Sequence, residues 1–422
     1  MTFVRPETNR IERTDPHVTV GGHMEHRFLE LKVVVAFTML ALAGVACHNS
    51  TTAAKAPALK TSWDEPDLQG IWTDDFQTPM QRPARFAGRE FLTEAEVAEL
   101  DAQRAALPGN ETRTTRGTQE DVAGAYNAVF QFRKHTGRRT SMIVDPPDGR
   151  VPPLTPEVQK RQREWREFYL ALVQSTSTCK NKVRGCEGGK YDPKPSPRRA
   201  EPLKYYPAAN LVPGGGHINR SDGPEERGLS ERCMTAVLPD FSGFRQIVQS
   251  PKVVSIFYDT GQGQGWHRII PVDGSPHLAQ SIRFWWGDSR GHWEGNTLVV
   301  DVTNFSPKTE FQGSRENLHL VERWTRTGPD TVEYVVTMDD KTTWTKAWTV
   351  KQEYHKQDDQ YNRIYKEPRC HEGNFGMLGM LSGARTMEAA FARGRGPDPA
   401  TINLVTPTNS ANSEEELDPF GQ

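Results

Sequence analysis

The clearest signal in the chain is an alternation of apolar and polar positions. In "TVEYVVTMD", residues 331–339, Val332, Tyr334, Val336 and Met338 fall on one face of an extended chain. Further runs of similar length sit on either side: "FRQIVQ" (244–249), "VVSIFYD" (253–259), "WHRIIPV" (266–272), "IRFWWG" (282–287), "TLVVDVTNF" (297–305), "LHLVERWTR" (318–326) and "AWTVKQEYH" (347–355). Turn residues separate them: Ser250-Pro251, Asp273-Gly274, Glu294-Gly295-Asn296 and Gly328-Pro329-Asp330. Short strands at regular spacing with such turns predict an antiparallel sheet curled into a barrel or sandwich, covering 205–385.

The segment 63–204 follows a different rhythm. "DLQGIWT" (67–73) predicts one short strand. Thr93 with Glu96 makes a capping box that opens the helix "TEAEVAELDAQRAAL" before Pro108. "EDVAGAYNAVFQFRK" (120–134) predicts a second helix. "PEVQKRQREWREFYLALVQS" (156–175) predicts a third, with Pro156 at its first position. "SMIVDPPDGRVPPL" (141–154) reads as a strand-like triplet and a Pro-rich turn. The stretch from Cys179 to about Leu203 reads as a basic, Gly/Pro-rich linker, and 386–422 as an acidic tail without core formers. The expected class is mainly β with an α-helical N-terminal part.

The apolar run 33–46, "VVVAFTMLALAGVA", is shorter than the ~20 residues of a membrane helix and suits the core of a secretory signal. Met24 offers a natural start, "MEHRFLELK", and residues 1–46 are expected to be removed. "AGVAC" (43–47) resembles the lipobox of bacterial lipoproteins, which implies a lipid on Cys47, a tether over 47–62 and residence in the cell envelope facing the periplasm, most simply at the outer membrane. Ordinary cleavage after Ala43 is the competing reading. An exported chain normally pairs its cysteines. With Cys47 acylated, four of the five cysteines remain, and the spacing suggests Cys179–Cys186 and Cys233–Cys370.

"RTSMIVDPPDGRVPPLTPE", "ERCMT", "WWGDSRGHWEGNTLVVDVTNF", "ENLHLVERWTR" and "CHEGNFGM" resemble a large family of exported bacterial proteins, over nearly all of 63–385. The resemblance implies no particular reaction. "GIW" (70–72), followed later by a meander of strands, is also similar to lipocalin-like barrels. There a Gly-x-Trp strand opens the barrel and the interior holds a small apolar ligand. Here helices would be inserted after that strand.

Composition narrows the chemistry. A net charge of -2 gives no basic excess for nucleic acid. No His-Glu-x-x-His, Cys-x-x-Cys, EF-hand or Gly-x-Gly-x-x-Gly signature is present, so neither metal nor cofactor is expected. The densest polar cluster, "GDSRGHWEG" (287–295), reads as a Gly-punctuated loop. In it His292 could serve as general base, oriented by Asp288 or Glu294, and Ser289 as nucleophile. The competing reading pairs Arg290 with Asp288 in a structural loop. His267 with Arg268, His277, Asp301 and His319 are further candidates. At least two of His267, Asp301, His319 and His292 are expected to reach an aromatic pocket lined by tryptophans such as Trp285, Trp324 and Trp344. The expected function is a lipid-anchored envelope protein that binds a small apolar or aromatic ligand in a barrel. The alternatives are a metal-independent lyase or hydrolase on a small aromatic or lipid-like compound, and a structural envelope protein.

Overall fold

The computed structural model describes residues 59–105, 134–182, 186–202, 223–224, 229, 232–235, 237–241, 243–259, 265–357 and 375–402. All of them fall within one compact unit, Ala56–Gln422. The signal, Cys47, the tether up to residue 58, the expected helix at 120–134 up to Arg133, Cys370 and the end of the tail lie outside the described residues.

The strands are β1 (Gly70–Thr73), β2 (Phe76–Gln77), β3 (His135–Thr136), β4 (Ile143–Asp145), β5 (Phe244–Ser250), β6 (Val253–Asp259), β7 (Gly265–Pro271), β8 (Asp288–Glu294), β9 (Thr297–Thr303), β10 (His319–Gly328), β11 (Thr331–Asp339) and β12 (Trp348–Lys356). The helices are α1 (Glu94–Ala105), α2 (Pro156–Val173), α3 (Ser177–Lys180) and α4 (Phe375–Ala392). The Thr93 capping box forms as expected. Glu96 N–H donates to Thr93 Oγ1 at 3.3 Å, and Thr93 N–H donates to Glu96 Oε2 at 2.8 Å.

The large sheet runs β7-β6-β5-β1-β12-β11-β10-β9-β8, with β4 paired to β12 beside β1. It curls into a nearly closed antiparallel barrel, so the barrel expectation holds. Every pairing along this path is antiparallel. Direction therefore flips at each of the eight steps between the nine strands, and the two end strands, β7 and β8, run parallel. They meet side by side. Arg268 Nε on β7 donates to Ser289 Oγ on β8 at 3.0 Å. Two residues further along each strand, a Cβ built on Gly291 would lie 3.0 Å from Ile270 Cγ2 and 2.7 Å from Val272 Cγ1. Side chains rather than a backbone ladder close this seam among the described residues. Parallel neighbours cannot be joined by a tight hairpin, and the connection 272–287 returns the chain as a long strap.

The strap explains one departure from the sequence pattern. "IRFWWG" was expected as a strand and "GDSRGHWEG" as a loop; the strand is instead Asp288–Glu294. Gly287 at φ 67° turns the chain into it, and Phe284 makes only an isolated bridge to Phe305. A side chain at Gly287 would also strike the Thr303 carbonyl, 2.5 Å from its Cβ. The other departures concern boundaries. β1 and β4, from the helical part, build barrel wall beside β5–β12. The helix α4 runs to Ala392, past the expected start of the tail at 386, and a 3₁₀ turn follows at Pro399–Thr401.

Inward-facing residues form one core. It includes Val254, Ile256, Val300, Leu320, Val336 and Val350, all fully buried. Trp72 on β1 joins it. Its Nε1 donates to the Leu68 carbonyl at 2.8 Å, and Arg326 lies over its ring with Cζ 5.2 Å from the centroid. Cys179 and Cys186 are bridged, with Cα atoms 5.1 Å apart. Cys233 is disulfide-bonded as well. Its expected partner, Cys370, is outside the described residues.

Candidate functional site

The barrel encloses a polar cluster within its aromatic and aliphatic core. On β7, Arg268 shares the parity of Trp266 and Ile270, so its guanidinium enters the interior, where the residue is only 4% exposed. On β10, Glu322 shares the parity of Leu320 and Trp324 and is completely buried. The two meet: Arg268 Nη1 lies 2.7 Å from Glu322 Oε2. Around them Tyr334 donates its hydroxyl to Glu322 Oε1 at 2.7 Å, and Arg268 Nη1 donates to the Tyr258 hydroxyl at 3.1 Å. Burial alone would push the Arg268 guanidinium down. Glu322, then Tyr258, more than offset this and hold it above its ordinary value. Burial and the neighbouring Glu322 carboxylate hold the Tyr334 phenol well above its usual range, so it stays a donor.

A second buried arginine, Arg245 on β5, lies 3.5 Å from Asp240 and donates to the Tyr354 hydroxyl at 3.4 Å. Its guanidinium also covers the Tyr258 ring, at 4.6 Å from the centroid. Trp324 packs on Tyr334 at 4.2 Å between centroids and stacks on Tyr354 at 6.0 Å. Donors in this assembly without a hydrogen-bond partner include Arg268 Nη2 and Trp324 Nε1, and the acceptor Glu322 Oε2 has only its ion-pair contact with Arg268. A buried donor left unpaired costs about 1–3 kcal/mol, so native interiors rarely keep one without a reason.

The residues expected to reach the interior are divided by strand parity. Trp324 and Trp344 are buried, each 1% exposed, whereas Trp285 is partly buried at the margin of the core. Ser289 faces inward and is held by Arg268. His292 is on the opposite face of β8, exposed, with Nε2 3.2 Å from Glu294 Oε1. A Ser289–His292 nucleophile–base pair is therefore excluded by strand geometry. His267 is exposed against Phe257, with ring centroids 4.7 Å apart. Asp301 and His319 also lie on the outer face, because Val300, Val302 and Leu320 take the inward positions. The expectation that two of these four residues line the interior is thus corrected.

Four candidates nevertheless come together outside: Asp288, His277, Asp301 and His319. Asp288 lies 3.1 Å from Arg290, as the structural reading of this motif expected, though on a strand. From Asp288 a chain of contacts runs across β8, β9 and β10. His277 on the strap sits between two carboxylates, with Nδ1 2.9 Å from Asp288 Oδ2 and Nε2 2.8 Å from Asp301 Oδ1. Asp301 Oδ2 lies 2.8 Å from His319 Nε2. The doubly protonated His277 ring donates to both carboxylates; the neutral ring donates to one. The hydrogen bond from His319 draws Asp301 below the ordinary carboxylate range, and Asp301 in turn raises His319. The chain also fixes the strap. Leu278 N–H donates to Asp288 Oδ2 at 2.9 Å, and Asn304 Nδ2 donates to the Leu278 carbonyl at 3.0 Å.

Among the described residues no cluster of three or more His, Cys, Asp and Glu is arranged to hold a metal ion. Among them, too, no helix is long and apolar enough to cross a membrane. No protein-family model matches the chain, and no curated protein sequence does. The site is read from its own geometry. Arg245, Tyr258 and Tyr334 did not figure among the sequence candidates.

Proposed function

We propose that the chain is a lipid-anchored protein of the cell envelope whose barrel binds a small apolar or aromatic molecule. One observation carries the binding half of this reading. A nearly closed antiparallel barrel surrounds an aromatic interior in which the buried donors Arg268 Nη2 and Trp324 Nε1 face no protein acceptor. Small-molecule sites have this composition, mostly apolar and aromatic with a few placed polar groups. Barrels of this size have room for side chains and at most a small guest. Thermal unfolding with N-phenyl-1-naphthylamine as probe tests it: a saturating rise in Tm is expected, because a ligand that binds only the native state stabilises it by mass action. An unchanged Tm over the soluble range of the probe overturns the reading.

The anchoring half rests on the lipobox-like "AGVAC" and the apolar run before it. Cys47→Ser should move the protein from the membrane fraction to the soluble periplasm. An intact mass corresponding to an unlipidated chain that starts at Gly44 would contradict the anchor.

The imidazole–carboxylate chain favours a second reading, metal-independent acid–base catalysis on a small aromatic or lipid-like compound. His319 is the residue it would use, since Asp301 orients its ring and raises its proton affinity while the side chain stays 40% exposed. Turnover of an ester or β-elimination substrate that disappears in His319→Gln, with stability retained, would establish this second reading. Turnover that survives the change removes His319 from it.

A further inference from the structure

We propose that the barrel interior selects a small aromatic molecule carrying one uncharged hydrogen-bond acceptor, such as a ketone, amide or ether oxygen, in preference to both a pure hydrocarbon and an anion. The inference rests on the ligand-binding reading above and adds the chemistry of the guest.

Donors set the first condition. Arg268 spends Nε on Ser289 and Nη1 on Tyr258, holds Nη1 2.7 Å from Glu322 Oε2 as an ion pair, and leaves Nη2 without a partner. The indole N–H groups of Trp266, Trp344 and Trp348 are unpaired too, so bare donors outnumber the bare acceptor Glu322 Oε2. Trp324 is joined to the same cluster through Tyr334, which packs on its ring and bonds Glu322, and its Nε1 has no partner either. Both residues are more than nine-tenths buried, at 4% and 1% exposed. An indole and a guanidinium can only donate. A guest with an acceptor pairs groups that a hydrocarbon leaves bare.

Charge sets the second condition. Arg268 is already opposed by Glu322 at 2.7 Å, and Arg245 by Asp240 at 3.5 Å. The buried Asp74, which also acts on Arg245, is paired with Lys134 at 2.6 Å, so cations and anions around the interior balance. A carboxylate or sulfonate guest would add an uncompensated negative charge beside Glu322 in a buried setting, where unpaired charge is costly. The interior can meet an acceptor without meeting a charge. The surrounding Trp324, Tyr334 and Tyr354 rings supply the faces on which a flat aromatic body stacks.

An isosteric series tests this: ethylbenzene, acetophenone and benzoate, each titrated calorimetrically at neutral pH into wild-type protein and into Trp324→Phe, which keeps an aromatic ring at this position but removes the N–H together with part of the indole. Acetophenone should bind wild type about 5- to 10-fold more tightly than ethylbenzene, the size of one neutral hydrogen bond. It should bind at least about 10-fold more tightly than benzoate. In Trp324→Phe the ratio of acetophenone to ethylbenzene affinity should fall to within about twofold, whatever the smaller ring does to the two affinities in common. Ethylbenzene binding as well as acetophenone overturns the acceptor inference and leaves the barrel reading standing. Benzoate binding tightest overturns the charge argument. Failure of all three while N-phenyl-1-naphthylamine still binds also overturns the inference; failure of all four probes overturns the barrel reading itself.

Discussion

At the scale of single residues, the charge of Glu322 carries the largest expected consequence. Glu322→Gln leaves the Arg268 guanidinium inside the barrel without its counter-ion. Breaking a buried pair from one side typically costs about 3–5 kcal/mol. Urea denaturation of the variant should show a loss of that order, whereas His292→Ala, at an exposed position on the outer face, should change stability little. The pair Asp301–His319 makes a smaller, pH-dependent contribution. His319 is held above its ordinary 6.5, so its share is complete below that pH and is lost as pH rises through the raised value. Asp301 is held below its ordinary 3.8, so its share is present above that pH and is lost as pH falls through the lowered value. The stability difference between wild type and His319→Gln should therefore peak near pH 5 and shrink on both sides. With both side chains more than a third exposed, the peak stays under about 1 kcal/mol. A difference that grows toward alkaline pH would contradict the assignment. These residue roles were partly legible in the sequence. His319 stands between two leucines, which drew attention to it, yet on a strand immediate neighbours face opposite ways. The informative comparison is two positions away: Arg268 against Trp266 and Ile270, Glu322 against Leu320 and Trp324. A charge in the apolar phase marks a buried polar group, and the same rule picks out Arg245 beside Ile247. Which partner each one finds was beyond reach, because the partners come from strands far apart in the chain.

At the scale of elements, β8 is the strand the pattern concealed. Its inward positions are Ser289, Gly291 and Trp293, too polar and too small to read as a strand, and "IRFWWG" beside it is more hydrophobic but belongs to the strap. The reason is the seam. Gly291 has no side chain because Ile270 and Val272 from β7 occupy that space. Gly291→Ala must push those side chains aside, and overpacking of this kind costs about 1–3 kcal/mol. Thermal melts should place Gly291→Ala well below wild type. The exposed Gly295→Ala meets nothing within 4 Å, but its φ of 58° is strained for alanine, so it should cost only about 1 kcal/mol. The strands β5 to β7 and β9 to β12 matched their sequence runs to within a residue or two, since each alternates cleanly and ends at a turn signal. The short bridge Cys179–Cys186 was legible from spacing. Its loop spans a separation of 7, so its reduction should lower stability by about 2–3 kcal/mol in the chain-entropy picture.

At the scale of the whole molecule, the barrel follows from counting strands. Nine strands joined antiparallel along one path return to the start with a parallel seam, and that seam requires the long strap that His277 pins to Asp288 and Asp301. Barrel class and its location in the second half were readable from alternation. The contribution of β1 and β4 was not, since a four-residue and a three-residue strand carry too little pattern to show which distant edge they complete. The central claim is that the interior of this barrel is a binding site. Calorimetric titration of N-phenyl-1-naphthylamine into wild type, Val300→Trp and His292→Ala tests it most directly. Val300 is fully buried on the inner face of β9, so a tryptophan there fills the interior, while His292 points outward. The account predicts saturable binding near one probe per chain in wild type and in His292→Ala, and its loss in Val300→Trp with the circular dichroism of the folded sheet retained. Absence of saturable binding in wild type, or equal binding in a folded Val300→Trp, would contradict it.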